Sequence, residues 1–170
     1  DWSSDVCSSD LIALMLVPEI ALTPQTASRL FARFPTSRIA LLHSGLTQAQ
    51  RNQQWTMVAE GKVEIVLGAR SAVFAPIPDG RLGLVIVDEE HDGSYKQDQA
   101  PRYHGRDAAI RRAQLAGCPV VLGSATPSLE SWHNAIGAGR HTLHRLPERA
   151  PGLRLPAVEI VDFAEERRHF

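Results

Sequence analysis

Leu82-Gly83-Leu84-Val85-Ile86-Val87 runs without interruption into Asp88-Glu89-Glu90-His91. A largely apolar run ending in adjacent carboxylates reads as a buried parallel strand that delivers acids to its C-terminal edge. Ligands of open α/β sheets bind outside that edge. A carboxylate there holds Mg²⁺ through water beside a nucleotide's phosphates, and its neighbour orients the attacking water. A strand that ends in a solvated acidic turn has the same local sequence, so the flanking segments decide between the two.

Working outward, short apolar runs recur at residues 14–17, 39–42, 63–67, 84–87 and 119–122. The intervals between them are helix-like. Residues 23–34 open with a possible Thr23 cap and Pro24 at the first helical position. Residues 47–59 offer Ala49, Trp55 and Val58 as an apolar face, and residues 106–116 offer Ala109, Ile110, Ala113 and Leu115. A further helix is expected over 128–138 from a Ser128 cap. Strand and helix alternating in this way predict an α/β fold, a mostly parallel sheet with helices on both faces. Residues 145–155 read as a linker, and residues 157–161 as a short strand belonging to a following unit.

The chain has 170 residues, 44% hydrophobic, with a formal net charge of -1, enough for one well-buried domain. Near-neutral charge excludes a nucleic-acid binder working by bulk attraction, though not a local basic groove. Cys7 and Cys118 are too few and too distant for a disulfide scaffold or a recognisable zinc motif. A zinc site from His91, His104 and Cys118 would need chance geometry. With no apolar stretch of membrane length and no signal-peptide pattern, cytoplasmic residence without a membrane partner is expected. The opening residues 1–11, DWSSDVCSSDL, repeat Ser-Ser-Asp, lack periodicity and read as a non-native or disordered leader. Residues 165–170 stop after a charged run; both ends suggest a fragment.

Polar groups follow each expected strand. They are Pro18-Glu19, His43-Ser44-Gly45, Gly68-Ala69-Arg70-Ser71, Asp88 to His91, and Gly123-Ser124-Ala125-Thr126. If the sheet is parallel, all five line one edge, and together they predict an extended ligand surface. Asp88 is the candidate for Mg²⁺ coordination through water, and Glu89 for positioning the hydrolytic water. His91 could couple the acids to neighbouring groups, or be a structural histidine. Ser124 and Thr126 could hydrogen-bond the acids and transmit their state, or form a helix-entry turn around Pro127. Beyond the acids, Tyr95, Lys96, Arg102, Tyr103, His104 and Arg106 interleave aromatic and basic groups, with Gly93 and Gly105 for mobility. This composition suits stacking on bases and pairing with phosphates; tyrosines packed on their own domain are the alternative. Arg70, Ser71, Thr23 and Gln25 are possible donors to a nucleic-acid backbone. No Gly-Lys-Ser or Gly-Lys-Thr turn occurs, and Gly61-Lys62 is followed by Val63. A nucleoside triphosphatase needs such a turn to cradle phosphates; it is expected before Ile12.

Several of these segments are family-specific in combination. They are VPEIALTPQ at 17–25, LHSGL at 42–46, GARSAVF at 68–74, DEEHDGSYKQ at 88–97, RYHGRD at 102–107 and GSATP at 123–127. From residue 12 to 162 the chain resembles the first motor lobe of the primosomal protein N-prime family, the bacterial replication-restart DNA helicases of superfamily 2. The resemblance implies a RecA-like P-loop NTPase lobe over residues 12–144, incomplete at both ends and lacking its phosphate-binding loop, with 145–170 leading to a second lobe. It implies that Asp88 and Glu89 serve ATP, Mg²⁺ and water, with His91 beside them, and that Ser124, Ala125 and Thr126 link hydrolysis to strand separation. Pro18, Glu19, Thr23, Gln25, His43, Ser44, Gly45, Arg70 and Ser71 would face single-stranded DNA. Lys96, Arg102, Tyr103, His104 and Arg106 would report DNA occupancy. It further implies 3′-to-5′ translocation on single-stranded and forked DNA, and partners among primosome proteins, single-stranded-DNA-binding protein and the replicative helicase loading system. Zn²⁺ is expected only downstream of this stretch. Another superfamily 2 translocase, or a non-catalytic nucleic-acid-binding α/β domain, is the alternative class.

Overall fold

A computed structural model describes residues 11–22 and 24–147. The expected Thr23 cap and Thr23 nucleic-acid contact, the leader through residue 10, the linker beyond residue 147 and the strand at 157–161 lie outside the described residues. The first four apolar runs form β1 (Ile12–Leu16), β2 (Ile39–Leu42), β3 (Ile65–Gly68) and β4 (Leu82–Val87). β5 (Lys96–Gln97) and β6 (Tyr103–His104) make a separate antiparallel pair where the sequence suggested only a loop. β7 (Val120–Leu122) completes the main sheet. Its order is β2-β3-β1-β4-β7 and every pairing is parallel. The five polar clusters therefore do share the C-terminal edge.

Register explains which side chains make the core. Leu14 is aligned with Val66 and Val85, Val66 with Ala40, and Val85 with Val120. Aligned residues of parallel strands share a face, and Leu14, Val66, Ala40 and Val85 are all fully buried. Val58, Ala72, Val73, Ala109 and Ala113 close over that layer. On the opposite face Leu67 is buried, but Met15, Leu41 and Ile86 are only half-buried and Val121 is exposed. Each fully buried aliphatic side chain contributes roughly 1.5–3 kcal/mol relative to exposure, so stability is concentrated on one side of the sheet.

The helices are α1 (Pro24–Arg33), α2 (Gln48–Ala59), α3 (Gly105–Ala116) and α4 (Leu129–Trp132), the last continuing as a π-helical turn His133–Gly137. α2 starts in a reciprocal capping box. The Gln50 amide donates to Thr47 Oγ1 at 3.3 Å, and the Thr47 amide to Gln50 Oε1 at 2.9 Å. Its inner face is Val58 with half-buried Trp55; Ala49 is exposed, contrary to expectation. Ala49 lies about two and a half turns before Val58 and so points the opposite way. Leu115 is likewise 73% exposed, because it sits about 200° round α3 from the buried Ala113. A 3-10 turn, Arg70–Phe74, lies between β3 and β4 and buries Ala72 and Val73. Gly68 permits this close return, since a Cβ there would lie 2.5 Å from Ala72 Cβ and 2.6 Å from Leu42 O. Arg112 of α3 donates to Val73 O, and to Ala75 O at 2.7 Å, tying the helix to that turn.

Leu14→Ala is expected to destabilise the fold by about 2–5 kcal/mol and Leu115→Ala by less than about 0.5 kcal/mol. Urea unfolding of the two variants checks this, and equal losses would mean that the core has been misplaced.

Candidate functional site

The acid turn is an extension of the sheet. The Asp88 amide donates to Leu16 O at 2.9 Å, and the Glu90 amide to Gly123 O at 3.0 Å, so neighbouring strands hold the backbone beyond β4. Between these anchors Glu89 has φ 45°, the only positive φ at a non-glycine among the described residues. A side chain in this region carries a conformational cost that the surroundings must sustain. They do so through the Glu89 amide on Asp88 Oδ1 at 3.1 Å and the Asp92 amide on Glu89 O at 2.8 Å. Asp92 then caps the short 3-10 helix Gly93–Tyr95 by accepting from the Ser94 amide at 2.7 Å. The bonds from Ser94, together with the His91 charge, outweigh the effect of burial and lower the Asp92 pKa. The turn closes on itself because the Tyr95 hydroxyl donates to Asp88 O at 2.7 Å.

His91 joins this turn to the loop after β7. Its Nδ1 is 2.7 Å from Ser124 Oγ and 3.5 Å from Glu89 Oε2, and its Nε2 is 3.3 Å from Thr126 Oγ1. Ser124 Oγ also accepts from the Thr126 amide at 3.0 Å. The hydroxyl loop is thus both a local turn and a partner of the acid segment. Ala125 is exposed between the two hydroxyls.

Glu90 turns inward and is 1% exposed. It accepts from the Ser128 amide at 2.6 Å, Ser128 Oγ at 3.1 Å, Ser131 Oγ at 2.9 Å and Arg106 Nη1 at 2.9 Å. Burial alone would raise its pKa, but the Ser128 amide, then Arg106 and the Ser131 and Ser128 hydroxyls, hold it below the usual value. Sequence reasoning assigned Glu90 no role. Its signal was only that one of three successive acids must face the core side of the strand end.

Several expected contacts are relocated. Arg106 is not free to meet a phosphate. Its side chain is 11% exposed and bonds Glu90, Ser128 Oγ at 2.7 Å and Asp107 Oδ1 at 2.9 Å. Tyr95 has no exposure and cannot stack on a base. Burial, followed by the charges of Asp88, Asp92 and Glu89, pushes its pKa up. Pro18 is buried too, so its side chain offers no nucleic-acid surface.

Glu19, His43, Ser44, Arg70 and Ser71 do converge, lining one cleft of about 420 Å³ with Arg51 and Trp55 of α2. Gly45 borders it, its amide donating to His43 Nδ1 at 3.1 Å. Gln25, on the first turn of α1, is exposed outside that lining. Arg51 and Trp55 were missed because helical position alone does not say which polar face meets a sheet edge. Arg70 Nη1 donates to Ser94 O at 2.9 Å and Lys96 O at 2.6 Å, and its guanidinium lies 5.9 Å from the Tyr103 ring centre. Phe74, 55% exposed, meets Tyr103 edge-on at 5.0 Å. This aromatic pair with a nearby guanidinium is suited to base stacking. Lys96 and Arg102 are exposed, while Tyr103 and His104 are half-buried. Gly105 lets the hairpin return, since a Cβ there would lie 3.0 Å from Arg70 Cγ and 3.2 Å from Tyr95 Cδ1.

Asp88 and Glu89 supply hard oxygen donors suited to Mg²⁺. Among the described residues no group of three or more His, Cys, Asp or Glu side chains could hold a metal by itself. Nor is any described helix long and apolar enough to cross a membrane.

The profile of the DEAD/DEAH box helicases matches residues 4–135. The replication restart protein PriA of Synechocystis sp. is 51% identical over 158 residues, covering 90% of this chain and 18% of that protein. Its counterpart in Bacillus subtilis is 47% identical over 157 residues, covering 92% and 19%. The chain therefore spans about a fifth of the length of these curated relatives. A solved structure of RecG bound to a three-way DNA junction superposes with a TM-score of 0.50 at 21% identity, over 75% of this chain and 16% of that one. At that identity the likeness is one of fold.

Glu90's lowered pKa has a consequence for stability. A carboxylate with a depressed folded pKa contributes stability that is complete above its unfolded pKa, near 4.5, and is lost as pH falls through the lower folded value. The stability gap between the unaltered chain and Glu90→Gln is expected to be constant from about pH 6 to 8 and to shrink under acid. Denaturant titrations from pH 8 down to about pH 3 check this; a gap that widens on acidification would contradict it.

Proposed function

The chain belongs to the DEAD/DEAH box helicase family, and from that premise we propose that it is the first motor lobe of an ATP-dependent, 3′-to-5′ DNA helicase that restarts stalled replication forks. The observation that carries this reading is the His91 bridge, whose Nδ1 meets Glu89 and Ser124 and whose Nε2 meets Thr126. An isolated solvated acidic turn has no need of that interlock. A motor needs it, because the state of the acids has to be felt outside the nucleotide site.

Asp88 would hold Mg²⁺ through water, and Glu89 would orient the attacking water. The bound ion would offset negative charge on the β and γ phosphates. Glu89 is pre-set for its task by its left-handed backbone and by the His91 ring 3.5 Å from its carboxylate. Because His91 also bonds Ser124 and Thr126, reorientation of Glu89 is transmitted to that loop. The Glu19–Ser71 cleft supports a path for single-stranded DNA, and Phe74, Tyr103, Lys96 and Arg102 an adjoining one. Gripping the phosphates requires a Gly-Lys-Ser or Gly-Lys-Thr turn, which these 170 residues do not contain. Turnover is therefore assigned to the full-length protein, in cooperation with a second lobe. On the same reading that protein is cytoplasmic, acts on forked DNA with primosome proteins, single-stranded-DNA-binding protein and the helicase loading system, and carries Zn²⁺ outside this stretch.

In the full-length protein, Glu89→Gln is expected to lower DNA-stimulated ATP turnover by about a hundredfold or more while nucleotide still binds, whereas the 170-residue chain alone turns over no ATP. Coupled-enzyme ATPase assays with and without single-stranded DNA measure both; robust DNA-stimulated turnover by the short chain would overturn the division of labour. Arg102→Ala and Tyr103→Ala should each reduce the stimulation by DNA several-fold and leave the DNA-free rate intact. Unchanged stimulation in folded variants would remove the hairpin from the DNA response.

A further inference from the structure

Both ends of the 96–104 hairpin return to the acid turn. Immediately before β5, the Tyr95 hydroxyl bonds the carbonyl of Asp88 at 2.7 Å. Immediately after β6, Arg106 bonds the carboxylate of Glu90 at 2.9 Å. The residue lying between these two attachments is Glu89, held at φ 45°. We propose that Glu90 and Arg106 are positioning residues, a buried latch through which nucleic acid on the hairpin sets the geometry of Glu89, with Ser128 and Ser131 of the α4 entry as its second arm. The inference rests on the helicase reading and adds to it residues that touch neither nucleotide nor DNA.

The donor set is what distinguishes the latch from ordinary packing. Glu90 collects donors from α3 and from the α4 entry, and Arg106 Nη1 also reaches Ser128 Oγ at 2.7 Å, so the three segments share one network. A buried ion pair is seldom more stabilising than apolar side chains of equal volume. Its particular property is direction: the guanidinium and carboxylate must stay aligned, so displacement of α3's first turn is passed to the Glu90 backbone and hence to Glu89. Arg106 is the second residue of α3, directly behind β6, where movement of the hairpin is felt first. At that same joint His104 Nδ1 is buried without a hydrogen-bond partner. A buried polar atom left unpaired marks an arrangement that another can improve upon, consistent with a hairpin that shifts when a strand docks on it.

The test uses the full-length protein and measures ATP turnover against the concentration of an oligothymidine strand, with unfolding midpoints alongside. Glu90→Gln and Arg106→Gln should each lower the maximal DNA-stimulated rate by about tenfold or more while the half-saturating DNA concentration stays within about twofold. The double variant should be no worse than either single one, because both act through one contact. Neutralising Glu90 strands the Arg106 charge and can cost folding, so Ser131→Ala is the second probe. It removes one hydroxyl donor without stranding a charge, and is expected to lower the stimulated rate by about two- to fivefold at unchanged half-saturation. Stimulation within twofold of the unaltered protein in folded variants would overturn the latch. So would a loss explained wholly by weaker DNA binding, or additive losses in the double variant. Absence of DNA-stimulated turnover in the unaltered protein would instead overturn the helicase reading itself.

Discussion

A carboxylate without solvent must be surrounded by donors or give up its charge. Glu90 meets that requirement just beyond the end of β4, and the donors it draws in come from α3 and the α4 entry. In satisfying one side chain the fold brings the aromatic-basic hairpin, the hydroxyl loop and the acid turn to a common point. The neighbouring acids then acquire their geometry at second hand: Asp88 through its Tyr95-bonded carbonyl, and Glu89 through the unusual backbone that lies between two held residues.

The parallel sheet places those contacts where chemistry can use them. Each of its five strands ends on the same edge, so polar residues separated by tens of positions in sequence become neighbours. The wholly buried layer lies on one face, beneath α2, α3 and the 3-10 turn. That layer gives the edge its base, and the hairpin is joined to it both by packing, through buried Tyr95 and half-buried Tyr103, and by hydrogen bonds.

Much of this was legible in the linear chain. All five apolar runs of strand length were located, including β7, whose residues are half-buried or exposed. Helix faces were read less well, as Ala49 and Leu115 show, because an apolar residue in a helical segment still has to lie at the right angle to meet the core. Among site residues, Asp88, Glu89, His91, Ser124 and Thr126 do come together, and the cleft gathers Glu19, His43, Ser44, Arg70 and Ser71. Arg106 and Tyr95 were placed on the ligand surface by composition, and Pro18 by its position after the first strand and by the family resemblance, but all three are buried or largely so. A basic or aromatic residue carries the same letter whether it contacts DNA or pins a turn.

Sequence by itself determined the alternation of strand and helix, the acid-bearing strand end and the membership of the helicase family. Each depends on local hydrophobic period or on a run of adjacent residues. Tertiary structure alone decided that the third acid is a buried anchor, that Arg106 serves it, and that Arg51, Trp55 and Phe74 join the edge. These are contacts between residues remote in the chain. Their partners are chosen by the order of strands in the sheet and by which buried charge has to be satisfied, and neither is written in any local segment.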